Sequence, residues 1–253
     1  MRVFVITYCQ NLELMYGSRL VFGSIRVGFP NAELSVIDNA SLPEAREELK
    51  QRAQSVGADF KWTERQYPHA TLIADLISST PGTVAFVDPD VIFWQKVEGW
   101  DFGNALAAGQ LIPEFADPYS QTLTAARLHT SFLWLPDTRR LLGRVVEMQR
   151  RHIDFSPFAT VSFCDGGTWR RLDTGAPLYA AFKDEMHAFS EQELDCFDHL
   201  YCGSHLPLVL PHMPDEVARL WQQAHDYARS GNVQALQGIG REQRRLFSAT
   251  SQR

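Results

Sequence analysis

Val84-Ala85-Phe86-Val87-Asp88-Pro89-Asp90-Val91-Ile92-Phe93-Trp94 is the stretch whose reading decides the fold. Four apolar residues lead into two carboxylates one residue apart, and four apolar residues follow. Bounded on one side by Pro81-Gly82, the run reads as a strand buried on both faces. Side chains of an extended chain alternate, which puts Asp88 and Asp90 on one side of it. Pro89 locks its own φ and steers Asp88 away from helical angles. A buried carboxylate is costly unless something pairs with it. The bland reading is an Asp-Pro turn at a strand end, but apolar flanks on both sides argue against a plain surface turn. The expectation is a stiff, doubly negative tip at the carboxyl end of a central strand, where open α/β sheets bind ligands. A hard divalent cation is its natural partner.

Working outward towards the N-terminus, Val3–Thr7 reads as a first buried strand and 8–11 as the loop at its end. Leu14, Met15, Val21, Phe22, Ile25 and Phe29 are spaced for one helix over 12–29, stopped by Pro30-Asn31. A second strand spans 32–37 and ends in the polar cluster Asp38-Asn39-Ala40-Ser41. Ser41 is placed to cap a helix that runs to about Ser55 and closes at Gly57. Residues 58–68 read as loop and 70–79 as a helix. Strand and helix alternate as in a doubly wound sheet, so the two aspartates end the third or fourth strand.

Beyond Trp94 the pattern loosens. A short strand is expected over 102–108, a loop over 109–127, and a strand over 131–135 ended by Pro136. Asp137 caps a helix over 138–151. Residues 152–176 are rich in glycine, aspartate and aromatics, and Asp173-Thr174-Gly175-Ala176-Pro177 opens a short helix to Phe182. A polar-aromatic cluster fills 197–205, and a terminal helix starts after Pro214. The stretch after Gly231 is polar and carries Arg241, Arg244 and Arg245, suited to a frayed helix, a second subunit or an anionic lipid surface.

The composition narrows the classes. A chain of 253 residues with 45% hydrophobic content suits one globular domain. A net charge of -6 argues against nucleic acid as a partner. Cys9, Cys164, Cys196 and Cys202 have no CxxC spacing, which fits a reducing cytosol better than a disulfide framework. The apolar run Val3–Ile6 is too short for a signal peptide or a membrane span. The expected location is cytoplasmic, with peripheral contact at the inner membrane face left open.

Taken together and in order, Val5-Ile6-Thr7-Tyr8, Val36-Ile37-Asp38-Asn39-Ala40-Ser41, Asp88-Pro89-Asp90 and Thr130-Ser131-Phe132-Leu133-Trp134-Leu135 resemble a nucleotide-sugar-dependent glycosyltransferase of the GT-A fold. The resemblance covers roughly residues 1–210 and rests on the ordered set, since no single motif is specific. It implies an α/β single domain: a Rossmann-like mixed sheet with helices on both faces. Residues 1–213 would form that domain, with the donor half at about 1–100 and the acceptor half at about 101–213, and 214–253 a helical tail. The donor would be a UDP- or GDP-linked sugar, and the acceptor a hydroxyl of a glycan, a lipid-linked molecule or a small molecule.

By this resemblance Asp88 and Asp90 hold Mn²⁺ or Mg²⁺, which bridges the donor diphosphate. His199 and His205 are the candidates for a third ligand, and imidazole favours Mn²⁺. Thr7 and Tyr8 would line the base pocket and Asp38 would touch the nucleoside, although an Asx-turn explains Asp38 as well. Arg65 or Lys61 would neutralise phosphate. If transfer inverts configuration, a base must deprotonate the acceptor hydroxyl. Asp173 is the first choice and Asp165 the second, with a helix N-cap as the plain alternative for Asp173. Trp94, Trp134 and Trp169 are expected in the core.

A nucleotidyltransferase on a similar fold would carry a Gly-rich loop with basic residues after strand one, and Tyr8-Cys9-Gln10-Asn11 offers neither. Two further rival readings use the same residues as the transferase. One is a non-catalytic sugar-nucleotide binder. The other is a haloacid-dehalogenase-like phosphohydrolase, in which the first aspartate is the nucleophile. That motif normally follows the first strand, whereas two strands precede Asp88 here.

Overall fold

The computed structural model describes residues 1–117, 122–200, 211 and 213–250. The chain divides into two compact units built from interleaved segments. One holds Met1–Phe4, Tyr67–Val87 and Trp100–Phe189; the other holds Val5–Gln66, Asp88–Gly99 and Ser190–Arg253.

The large sheet contains β1 (Arg2–Thr7), β2 (Glu33–Asp38), β3 (Asp59–Trp62), β4 (Val84–Val87), β6 (Ala107–Ile112), β9 (Arg127–Leu135) and β12 (Met186–Ala188). Its order is β12-β6-β9-β4-β1-β2-β3. β1 contributes its first residues to one unit and its last to the other.

In the first unit β9 runs antiparallel to both β4 and β6, and β12 runs parallel to β6, so the sheet is mixed. All four residues of β4 are buried, as its apolar run predicts. A register shift between Gly109 and Leu111 bends β6. The helix Thr138–Arg151 starts at its expected cap: Asp137 accepts from Arg139 N at 2.9 Å. Aromatic rings at Trp100, Phe102, Phe132, Trp134 and Phe189 pack together, so Trp134 is core as expected. Trp169 is 56% exposed, against expectation. It lies on β11 (Thr168–Leu172), which pairs with β10 (Val161–Asp165) across the turn Gly166-Gly167. That hairpin joins β8 (Leu123–Thr124) and β7 (Phe115–Ala116) in a four-stranded sheet. The stretch expected as loop after residue 108 therefore carries strands.

In the second unit β2 and β3 are parallel. β3 is an edge strand with charged and exposed residues, which is why its composition reads as loop. The helix expected over 12–29 is instead broken into Leu12–Leu14, Met15–Arg19, Val21–Gly23 and Ile25–Gly28. Its inward residues are right: Met15, Val21, Phe22, Ile25 and Phe29 are buried. At the end of the last segment the backbone lies close against Phe93: a Cβ at Gly28 would sit 2.6 Å from Phe93 Cγ. The helix Pro43–Ser55 begins with proline and has no side-chain cap; the Ser41 hydroxyl is used elsewhere.

The C-terminal segment is built into this unit. The helix Asp215–Ser230 buries Val217, Trp221, Ala224, His225 and Ala228 on one stripe. Gly231, at φ 74°, closes it, with Asn232 N donating to Tyr227 O at 2.9 Å. Ala224, Ala228, Leu236 and Ile239 share a buried cluster with Tyr16, Leu20, Ile92 and Leu200. Among the described residues no helix is long and apolar enough to cross a membrane. Cys9, Cys164 and Cys196 are free thiols.

Candidate metal centre

β4 stops at Val87, and Asp88 to Asp90 form a turn in which Val91 N donates to Asp88 O at 3.2 Å. This corrects the extended geometry expected of the two aspartates. A turn, with Pro89 at its first inner position, brings the carboxylates together. The chain then enters β5 (Val91–Phe93), which pairs antiparallel with β13 (Phe197–His199). His199 stands opposite Val91, and Leu200 N donates to Asp90 O at 3.3 Å. The ladder delivers His199 Nε2 to 3.2 Å from Asp90 Oδ1.

Asp88, Asp90 and His199 each offer one ligand atom, all within 4.8 Å of one another. Asp90 is 8% exposed and His199 7%. Burial alone lowers the pKa of His199, but the Asp90 and Asp88 carboxylates outweigh it and raise it above the ordinary histidine value. Two carboxylate oxygens and one imidazole nitrogen are a fitting donor set for Mn²⁺, which accepts hard oxygen and borderline nitrogen ligands. A cation replaces the proton on such a histidine. Of the two expected histidines, His199 is brought to the aspartates, and His205 lies outside the described residues.

Asp38, at the end of β2, is 0% exposed. Its carboxylate accepts from Thr7 Oγ1 at 3.0 Å, Ser41 Oγ, Ser41 N at 3.2 Å and Arg46 Nε at 3.3 Å. Ser41 Oγ in turn accepts from Cys9 N at 2.8 Å, and Asn39 N donates to Thr7 O at 2.8 Å. The network sews the loop after β1 to the loop after β2. Thr7 is wholly buried within it, while Tyr8 is 37% exposed. Arg46, absent from the sequence expectations, sits one turn into the helix Pro43–Ser55, the spacing from which it reaches back to Asp38. Arg65 lies exposed after β3, and Lys61 pairs with Asp59 at 3.5 Å.

Asp165 and Asp173 belong to the first unit. Asp173 Oδ2 is 3.0 Å from Arg127 NH2, and Arg171 is 3.9 Å from the other oxygen. Asp173 Oδ1 also accepts from Thr174 N at 2.8 Å, and Ala176 N donates to Asp173 O at 2.8 Å. Asp165 is exposed at the end of β10 and pairs with Arg170 at 3.3 Å. Arg127, a buried arginine opening β9, is a second residue that sequence reasoning missed; its presence at the start of an apolar strand was the available signal.

No family model and no curated protein matches the sequence. Solved structures do resemble it. The galactosyltransferase LgtC, in complex with donor and acceptor sugar analogues, aligns with a TM-score of 0.51 at 12% identity, over 91% of this chain and 96% of its own. The bifunctional glycosyltransferase WbbM aligns with a TM-score of 0.50 at 8% identity, over 91% of this chain and 44% of its own. The glycosyltransferase GlyE of Streptococcus pneumoniae TIGR4 aligns over 76% of this chain and 45% of its own, with a TM-score of 0.44 at 11% identity. The chain thus spans less than half the length of GlyE and WbbM. The likeness to LgtC and WbbM identifies the fold as GT-A.

Proposed function

We propose that this chain transfers a sugar from a nucleoside-diphosphate sugar to a hydroxyl acceptor, with a divalent cation held by Asp88, Asp90 and His199. The observation that carries the reading is this Asp-Asp-His set, with Asp90 and His199 buried and Asp88 half-buried, in the turn that follows β4. The structural likeness to LgtC, itself solved with donor and acceptor sugar analogues, supports it. The bound cation would act as a Lewis acid that neutralises charge on the departing nucleoside diphosphate.

The residues of the chain supply the rest. Asp88 and Asp90 provide hard oxygen ligands from a turn that Pro89 stiffens. His199 would offer a neutral imidazole nitrogen as the third ligand. Asp38 acts on the donor side through Thr7 and Ser41: it fixes the two loops from which Tyr8 faces the base. Arg65 takes phosphate charge. Asp173 addresses the acceptor hydroxyl, as base if the reaction inverts, with Arg127 holding its orientation; Asp165 is the second candidate. Chain order within the fold supports this acceptor assignment.

The test is a titration of the purified protein with UDP, GDP and CDP, with and without Mn²⁺. The expected result is metal-dependent binding of one nucleotide that is lost in Asp90→Ala. Absence of nucleotide binding in either condition overturns the proposal.

A further inference from the structure

His199 reaches Asp90 through a short ladder. β5 and β13 have three residues each. A two-stranded ribbon of that length is marginal on its own. A slip of one residue would turn His199 to the opposite face and away from the aspartates. Something besides the ladder must therefore hold the register.

The neighbouring residue is anchored outside the ladder. Asp198 faces opposite to His199 by strand alternation and is 3% exposed. Its carboxylate accepts from Trp94 Nε1 at 2.6 Å, Gly238 N at 3.0 Å and Gly240 N at 3.0 Å. Trp94 directly follows β5, and its backbone N donates to Cys196 O at 2.9 Å, just before β13. Gly238 and Gly240 lie at the start of the helix Ile239–Thr250, where a carboxylate is favoured by the orphan N–H groups and the helix dipole. Both glycines are required by geometry. Gly238 has φ 88°, and a Cβ on Gly240 would collide with Asp198 Oδ1. One buried carboxylate thus joins the residue after β5, the middle of β13 and the start of the last helix.

We propose that Asp198 is a positioning residue: with Trp94, Gly238 and Gly240 it forms a clamp through which the C-terminal helix holds His199 in metal-binding register. The inference rests on the metal reading above. It gives Gly238 and Gly240 a role in the site through Asp198.

The experiment is Mn²⁺ binding to the full chain, followed by the electron paramagnetic resonance signal of free Mn²⁺. It compares the wild type with Asp198→Asn, Gly240→Ala, Asp90→Ala and Leu49→Ala. Leu49 is a buried residue of the helix Pro43–Ser55, so its truncation lowers stability without touching the clamp. Asp198→Asn and Gly240→Ala are expected to weaken Mn²⁺ binding by about 10-fold or more, the scale typical of groups that orient a metal ligand. Leu49→Ala is expected to lower the melting temperature and leave Mn²⁺ affinity unchanged. If the clamp variants bind like wild type while Asp90→Ala does not bind, the inference falls and the metal reading stands. The inference also falls if Leu49→Ala weakens binding as much as the clamp variants do. If the wild type shows no saturable binding, the metal reading falls and the inference with it. Should the clamp variants fail to fold, hydrogen exchange on the wild type decides. Coupling is reciprocal, so Mn²⁺ must slow exchange at the Gly238 and Gly240 amides. Unchanged exchange there overturns the inference.

Discussion

His199 Nε2 stands 3.2 Å from Asp90 Oδ1, although the two residues lie 109 positions apart: Asp90 sits in the turn just before β5, and His199 ends the strand that pairs with it. The Asp90 and Asp88 carboxylates raise the pKa of His199, and a bound cation would take the place of a proton between these groups. Binding to the folded state alone stabilises it by about 2.7 kcal/mol at a metal concentration 100 times Kd. For a chain of this length that corresponds to about 5–10 °C in Tm. Scanning fluorimetry is expected to show this rise with Mn²⁺, its reversal by a chelator, and its absence in His199→Ala and Asp90→Asn. An unchanged Mn²⁺ response in both variants would place the ion elsewhere.

Asp38 makes a different prediction because its carboxylate serves the chain itself. Removing it strands the Thr7 and Ser41 donors and leaves Arg46 without its buried partner. Asp38→Ala is expected to destabilise by about 3 kcal/mol, since breaking a buried pair leaves uncompensated polar groups. Thr7→Val removes one donor and is expected to cost about 1 kcal/mol. Urea denaturation midpoints measure both. A loss of nucleotide binding in Asp38→Ala without loss of stability would assign the carboxylate directly to the ligand.

Asp173 is tested by separating chemistry from binding. A general base contributes roughly 10²–10⁴ in rate. Asp173→Asn keeps the shape that Arg127 holds and is expected to lower kcat within that range while Mn²⁺ and nucleotide affinities stay as in the wild type. Asp165→Asn, at an exposed strand end, is expected to change kcat less. Equal activity of Asp173→Asn and wild type would remove Asp173 from the chemistry.

What could be read from the sequence follows the range of the interactions involved. β4 was legible because four buried apolar residues precede the aspartates. The helix Thr138–Arg151 was legible because Pro136 and Asp137 mark its start locally. The β10–β11 hairpin had a local signal too: Gly166 and Gly167, at φ 56° and 86°, are a two-residue turn that suits glycine. Its strands, exposed in β10 and only partly covered in β11, carry no continuous apolar run to mark them. The apolar spacing over 12–29 marks the inward residues but does not mark the breaks between the four short helices. The carboxylates at 88 and 90 are legible as a pair, but the apolar flanks on both sides mask the turn that gathers them. The choice of His199 is long-range: it follows from the register His199 opposite Val91, which nothing in the spacing encodes.

His225 yields a pH prediction independent of the metal. It is buried on the helix Asp215–Ser230 against the Tyr16 hydroxyl. Burial, and then the Arg229 guanidinium, push its pKa down to about 4, and Asp226 offsets only part of this. The unfolded chain, near the ordinary value of 6.5, therefore binds a proton that the folded chain refuses between those two values. The sign follows: the stabilising contribution is complete above pH 6.5 and is lost as pH falls towards 4. After allowance for solvent screening it amounts to about 2 kcal/mol. His225→Gln stays neutral and still faces Tyr16. Its urea midpoint is expected to fall less than that of the wild type between pH 7 and pH 4.5. Parallel curves for the two proteins would show that His225 titrates alike in the folded and unfolded chains, and that the buried contact with Tyr16 does not select the neutral ring.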